Sequence, residues 1–263
     1  MSGAFTLALP DAVLAGEERD GEAERPPVIL LHGFGGDRST WDSLWAAIPV
    51  NWPALRYDQR GFGASAAGQE AFSHAEDLLA LMDSRGIASA DLVGLSQGGA
   101  LAVHFALDYP DRVRTLSLVS PALMGWGWSD EWRKRWRAIA LLARADDMDA
   151  AREAWFHHPF FASTRASPAA DGLRASITRF AGRQWIADPQ RPVLSDVERV
   201  HALTAPTLLL TGKQDVADFR LIADVLAASV PNITRCDLPG GHMLHLEQPG
   251  KVAQTVIGFL ETP

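Results

Sequence analysis

One cysteine, Cys236, stands in 263 residues. An internal disulfide is excluded, and with it the class of small disulfide-stapled domains. No apolar stretch approaches the ~20 residues that a membrane-spanning helix needs. The opening residues Met1-Ser2-Gly3-Ala4-Phe5 hold no basic segment leading into an apolar one. No secretory leader is expected, and the cytoplasm is the default location. An excess of basic residues is missing too. The net charge of −8 at pH 7 argues against a nucleic-acid footprint. There is no internal repeat and no low-complexity tract. Metal-ligand spacing is also lacking: the pair His157-His158 has no Cys, Asp or further His at ligand distance along the chain, so no metal is expected. The hydrophobic fraction of 47% is that of a globular protein, and the length suffices for one domain with an insertion.

The most informative segment is Gly94-Leu95-Ser96-Gln97-Gly98, a G-x-S-x-G pattern. The apolar run Asp91-Leu92-Val93 before it reads as the end of a buried strand, and Gly99 to Leu107 reads as a helix. Strand, tight turn and helix are what a nucleophile elbow requires. Small residues two positions either side let the turn lift a serine hydroxyl into a cleft.

A serine hydroxyl is a poor nucleophile without a base in hydrogen-bond reach and a group to orient that base. Both have candidates downstream. Pro206-Thr207-Leu208-Leu209-Leu210-Thr211 reads as a buried parallel strand running into Gly212-Lys213-Gln214-Asp215, which places Asp215 at its carboxyl end. Ile233 to Leu238 reads as the next strand, followed by Gly240-Gly241-His242-Met243-Leu244-His245-Leu246-Glu247. The order Ser96, Asp215, His242 is nucleophile, acid, base. Asp218 is a rival acid and His245 a rival base; the Gly-x-x-Asp turn favours Asp215, and the approach to the last helix gives His245 a supporting role. Pro27-Val28-Ile29-Leu30-Leu31 is a further buried strand, followed by His32-Gly33-Phe34-Gly35-Gly36. Acyl transfer builds negative charge on a carbonyl oxygen, which backbone N–H groups must meet. The N–H groups of Phe34 and Gln97 are the expected donors. His32 is expected to fix that loop. His104, eight residues beyond Ser96, is expected to be core packing.

These blocks, with the loop Asp58-Gln59-Arg60-Gly61-Phe62-Gly63-Ala64-Ser65, give the sequence a resemblance to the α/β-hydrolase superfamily. The resemblance is to its branch of small bacterial esterases, enol-lactonases, perhydrolases and carbon–carbon hydrolases, and it spans about Pro26 to Pro121 and Thr204 to Leu260. It implies Ser96, Asp215 and His242 as a triad and a structural role for Asp58, Arg60 and Ser65. It implies an α/β fold with a mostly parallel eight-stranded sheet, helices on both faces and an inserted helical cap. The expected division is a core of 1–121 and 201–263 and a cap of 122–200.

Strands are expected near 27–31, 53–58, 90–95, 113–119, 206–211 and 232–237, after an N-terminal hairpin. Helices are expected near 73–85, 98–108, 217–229 and 249–261. The stretch 122–200 holds no convincing strand but contains Trp126, Trp128, Trp132, Trp136, Trp155 and Trp185. Trp132, Trp136 and Ile139 share one helix face. Trp126, Trp132 and Trp155 are the candidate pocket rings. Arg133, Lys134, Arg135 and Arg137 read as a solvated helix face.

The resulting expectation is hydrolysis of esters with small to medium apolar acyl groups, with neither metal nor organic cofactor and with no nucleic-acid or membrane partner. Dicarboxylate monoesters are expected to be poorer substrates; the reverse would place Arg133, Arg137 or Arg183 in the cleft. Carbon–carbon cleavage and enol-lactone or perhydrolase chemistry use the same triad. Met243 stands where many carbon–carbon hydrolases carry Trp. A slow-turnover ligand receptor or signalling protein is the reading of another class. Nothing in the sequence indicates the oligomeric state or the physiological substrate.

Overall fold

The computed structural model describes residues 2–22 and 24–261. Met1, Ala23, Thr262 and Pro263, which fall inside the expected core stretches, lie outside the described residues. Two antiparallel strands open the chain, β1 (Ser2–Leu9) and β2 (Ala12–Arg19). Then come β3 (Val28–Leu31), α1 (Asp42–Ala47), β4 (Ala54–Tyr57), the two-residue β5 (Ala66–Ala67) and α2 (His74–Ser84). They are followed by β6 (Ala90–Leu95), α3 (Gln97–Asp108) and β7 (Val113–Val119).

Between β7 and the next strand the chain is helical: α4 (Asp130–Arg144), α5 (Met148–Phe156), α6 (Ala162–Arg165), α7 (Ala170–Arg179) and α8 (Arg183–Ile186), with short 3-10 turns. The alternation then resumes with β8 (Thr207–Gly212), α9 (Ala217–Ser229), β9 (Ile233–Leu238), α10 (Leu244–Glu247) and α11 (Pro249–Leu260).

The strands form one sheet in the order β1-β2-β4-β3-β6-β7-β8-β9, with β5 paired to β2. The expected sheet of eight strands therefore has a short ninth member. From β4 to β9 all neighbours are parallel. The central strands explain why. Every residue of Val28–Leu31, Ala90–Leu95 and Thr207–Gly212 is buried, as strands covered on both faces must be. Alternate residues feed two cores. Ile29 and Leu31 pack with Leu78 and Leu81 of α2, Val103 and Phe105 of α3, and Ile222 of α9. Val28 and Leu30 pack with Leu44 of α1 and with Val252 and Val256 of α11. The edge strand β9 carries Arg235 and Asp237, exposed and paired at 2.8 Å; charge on an edge discourages further strand pairing. Cys236 is half-buried on this edge strand.

Burial depresses four of the histidines in this framework. Burial lowers His74 to about 3, with the charges of His32 and Arg60 adding to the effect. Burial also lowers His245 to about 3 and His158 to about 4, and lowers His32. Their folded values lie below the unfolded value of about 6.5. The stability they contribute is complete above about pH 6.5 and is lost as the pH falls, for His74, His158 and His245 down to about 3–4, because the unfolded chain takes up protons that the fold refuses. His104 has the opposite sign. A hydrogen bond to Asp196 raises it, so its contribution is present below about pH 6.5 and is lost as the pH rises through its folded value. The expected net result is a melting temperature that falls steeply between pH 6.5 and 4.5. His74→Leu should flatten that slope by about one proton's worth, ~1.4 kcal/mol per pH unit. Equal slopes for the variant and the parent chain, from thermal melts at each pH, would contradict the assignment.

Candidate active site

Parallel strands end at one edge of the sheet, and the loops beyond those ends carry the candidate residues. Ser96 follows β6 directly. Its backbone is at φ 51°, ψ −112°, a conformation that costs an L-residue about 1–3 kcal/mol. The surroundings hold it there. Its N–H donates to Val119 O at 3.0 Å, and its carbonyl accepts from Ala100 N at 2.9 Å and Ala122 N at 3.0 Å. The flanking glycines are needed for space. A Cβ on Gly98 would lie 2.2 Å from Leu31 O, and one on Gly94 would lie 2.3 Å from Gly98 O. Strand and helix therefore meet more closely than any larger residue permits.

Gln97 opens α3, where N–H groups have no partner within the helix and can face an anion. Phe34 lies in the turn after β3. His32, fully buried, fixes that turn. Its Nε2 accepts the Gln59 N–H at 2.9 Å, so its proton sits on Nδ1 and is donated to Gly33 O at 2.9 Å. Gln59 Nε2 donates back to His32 O at 2.6 Å. Asp58 accepts from Arg38 N at 2.7 Å and Ala64 N at 2.8 Å. Ser65 Oγ donates to Asp58 O at 2.5 Å. Arg60 grips Asp77 of α2 through two bonds of 2.6 and 2.8 Å, which is the strong bidentate form.

Asp215 follows β8 and His242 follows β9. Asp215 Oδ2 lies 2.8 Å from His242 Nδ1, and Asp215 Oδ1 accepts the Val216 N–H at 2.7 Å. Both side chains are almost fully buried. With Nδ1–H donated to the carboxylate, Nε2 of the neutral ring is the free base. That atom is buried and has no hydrogen-bond partner among the described residues. The imidazole lies between Phe160 at 3.8 Å and Phe219 at 4.3 Å, centroid to centroid. Asp218 does not reach it. Asp218 accepts from Ser129 Oγ at 2.7 Å, Ser129 N at 3.1 Å and Trp126 Nε1 at 3.3 Å, and so ties the start of α4 to α9. His245 packs against Trp41.

Ser96, His242, Phe34 and Gln97 line one cavity of about 1470 Å³. Trp126, Trp132 and Trp155 line it as well. Asp215 stands behind His242, off the cavity wall. Sequence reasoning missed Trp136, Trp185, Phe160 and Phe219, which also face the cavity. Phe160 and Phe219 had no usable signal, because neither lies in the block around its target. Trp136 shares the helix face of Trp132 and was in principle readable.

Glu247 was missed in role. Its carboxylate accepts from Gly241 N at 2.8 Å, Ser163 Oγ at 2.7 Å and Thr164 Oγ1 at 2.6 Å. It thereby joins α6 to the loop that carries His242. His104 is not simply core packing. It lies 3.1 Å from Asp196 and 3.3 Å from Asp108. The solvated-face reading needs a correction too. Lys134 and Arg135 stand off the cavity, but Arg133 and Arg137, though exposed, are on its wall. Arg183 is not; it donates to Ala67 O and Gly68 O. His157 pairs with Glu153, and His158 accepts the Phe160 N–H. Among the described residues no group of three or more metal-ligating side chains forms.

A family model described as the alpha/beta hydrolase fold matches residues 26–249. The chain belongs to the α/β hydrolase fold family. Within that family the chain is 33% identical over 241 residues to a 2-succinyl-6-hydroxy-2,4-cyclohexadiene-1-carboxylate synthase of Klebsiella pneumoniae (strain 342), a match covering 89% of this chain and 93% of that one. The enol-lactonase from Burkholderia xenovorans LB400 superposes with a TM-score of 0.83 at 26% identity, covering 97% and 99% of the two chains. Carboxylesterase CesB from Bacillus subtilis gives 0.82 at 25% identity, covering 100% and 93%. This α/β hydrolase has no helix, among its described residues, long and apolar enough to cross a membrane.

Proposed function

We propose that the chain is a serine hydrolase that cleaves carboxylic esters of small to medium apolar acyl groups through an acyl-enzyme. One observation carries the reading. A buried Asp215–His242 pair leaves Nε2 unpartnered on the wall of the cavity that also holds Ser96. Residues 122–200 form the cap of this cavity, and 1–121 with 201–263 form the core. The setting is a cytoplasmic enzyme acting on a small molecule.

In the first step Ser96 Oγ attacks the ester carbonyl carbon while its proton passes to His242 Nε2. Asp215 holds the ring in the required tautomer and offsets the imidazolium charge. The Phe34 and Gln97 N–H groups bind the oxyanion. The carbon–oxygen bond to the leaving group breaks, and His242 returns the proton to the departing alkoxide. Water then attacks the acyl-enzyme, giving its proton to His242, which passes it to Ser96 as the acid leaves. The aromatic cap walls exclude water and favour an apolar acyl group.

Steady-state turnover of 4-nitrophenyl butyrate is the test. We expect a linear rate over many turnovers and a kcat/KM a few-fold higher per added methylene from acetate to butyrate, since each buried methylene is worth about 0.8 kcal/mol. A single slow burst of about one equivalent would instead fit a ligand-holding protein that keeps the triad. The carbon–carbon and lactone readings have no separate support in the geometry.

A further inference from the structure

We propose that the cavity binds substrates with a carboxylate at the end remote from the scissile carbonyl, and that Arg137 is the cation that reads it. The inference rests on the hydrolase reading and adds a substrate class to it. It starts from the phase of α4. Trp132, Trp136, Ile139, Ala140 and Ala143 fall on one stripe of that helix, and all are buried or half-buried. Arg133, Arg137 and Arg144 fall on the adjoining stripe, about 60–100° around the axis at 3.6 residues per turn. All three line the cavity, as does Ala140 between the stripes. The helix thus presents rings to the interior and guanidinium groups to the rim.

The rim charges divide into satisfied and unsatisfied. Three acidic residues line the cavity: Asp37, Asp42 and Asp58. Each is already engaged. Asp58 holds Arg38 at 2.5 Å, Asp42 holds Arg56 at 2.6 Å, and Asp37 meets Arg179 at 3.3 Å. Arg133 pairs with Asp130, and Arg144 Nε reaches Ile186 O at 3.4 Å. Arg137 has no hydrogen bond or ion pair to any described residue. The chain carries 32 acidic residues against 24 basic ones, so carboxylates are abundant, yet none is placed beside this guanidinium. A planar guanidinium at the edge of an apolar cavity is matched by a planar carboxylate, which it can grip through two parallel hydrogen bonds. The apolar wall beside it weakens competition from water. Such a site selects an amphiphilic ester: apolar near Ser96, anionic at the rim.

The test uses matched pairs, the 4-nitrophenyl monoesters of succinic, glutaric and adipic acids and the same esters with the free acid methylated. The carboxylate is the one difference within each pair. At the best chain length we expect kcat/KM for the anion to exceed that for its neutral counterpart by about tenfold at low salt, carried mainly by KM. The ratio should fall toward one in 1 M NaCl, where screening reaches within about 3 Å. Arg137→Gln should bring the ratio to about one, and Arg137→Lys should keep part of it. Lys134→Gln, three residues away on the same helix and off the cavity wall, should leave the ratio as in the parent chain. A ratio of one or less in the parent chain, with both esters turned over, overturns the inference and leaves the hydrolase reading standing. A tenfold ratio that survives Arg137→Gln also overturns it. If no ester of either kind is turned over and Ser96 takes no acylating probe, the hydrolase reading fails and the inference fails with it.

Discussion

Ser96→Ala is expected to fold as the parent chain does and to lose at least about 10³-fold in kcat on 4-nitrophenyl butyrate. The size follows from the role. Without the hydroxyl there is no acyl-enzyme, and what remains is water acting in a cavity whose oxyanion donors are intact. The fold should survive because alanine keeps the backbone that the turn imposes. The strain at φ 51° belongs to any L-residue at this position, and the bonds from Val119, Ala100 and Ala122 are made by the main chain. The check is a kinetic comparison with a thermal melt alongside. Retained turnover would remove Ser96 as the nucleophile; should Ser96→Ala lower the melting temperature, Ser96→Cys, which keeps an unbranched side chain of nearly the same size at φ 51°, should hold the fold and still lose most of the turnover.

The second large effect separates two carboxylates three residues apart. Asp215→Asn is expected to cut kcat by about 10³–10⁴-fold, because an amide lets the imidazole settle in the wrong tautomer and no longer balances the imidazolium. Asp218→Asn should change kcat several-fold at most. Asp218 bonds to Ser129 and Trp126, so its loss loosens the start of α4, where a capping group is worth about 1 kcal/mol. It should therefore appear in the melting temperature more than in the rate. A larger kcat loss at Asp218 than at Asp215 would mean that the acid had been assigned to the wrong residue.

Much of the site is legible in the sequence because its signals are local. The turn Gly94 to Gly98 needs small residues at fixed offsets, and the steric cost of a Cβ at Gly94 or Gly98 is why the pattern is strict. The buried strands are short apolar runs, so β3, β6, β7 and β8 lie within a residue or two of their expected bounds. Once strands are parallel, the residues after them meet at one edge without any further signal. What escaped the sequence is long-range. His104 is bonded to Asp196, 92 positions away, and nothing near either residue announces the pair. Phe160 and Phe219 close on His242 from two separate elements. The helix phase of α4 was readable, but which side of the tryptophan stripe meets the cavity rim depends on how the whole helix is laid down. That is why Arg137 and Lys134, neighbours on one turn, could not be told apart. The strand β5 escaped because two residues carry no period, and α1 because its apolar positions Trp41, Leu44 and Ile48 straddle a 3-10 turn.

The most direct measurement is the mapping of a covalent adduct. The purified protein is treated with phenylmethylsulfonyl fluoride, digested, and read by mass spectrometry, with residual turnover of 4-nitrophenyl butyrate followed in parallel. A serine with a base in reach displaces fluoride, whereas ordinary surface serines do not react at a comparable rate. We expect one sulfonyl group per chain, on the peptide that contains Ser96, formed in proportion to the loss of turnover, and no adduct in Asp215→Asn over the same period. A protein that keeps its turnover unlabelled, or that carries the group on a different serine as turnover disappears, would contradict Ser96 as the nucleophile.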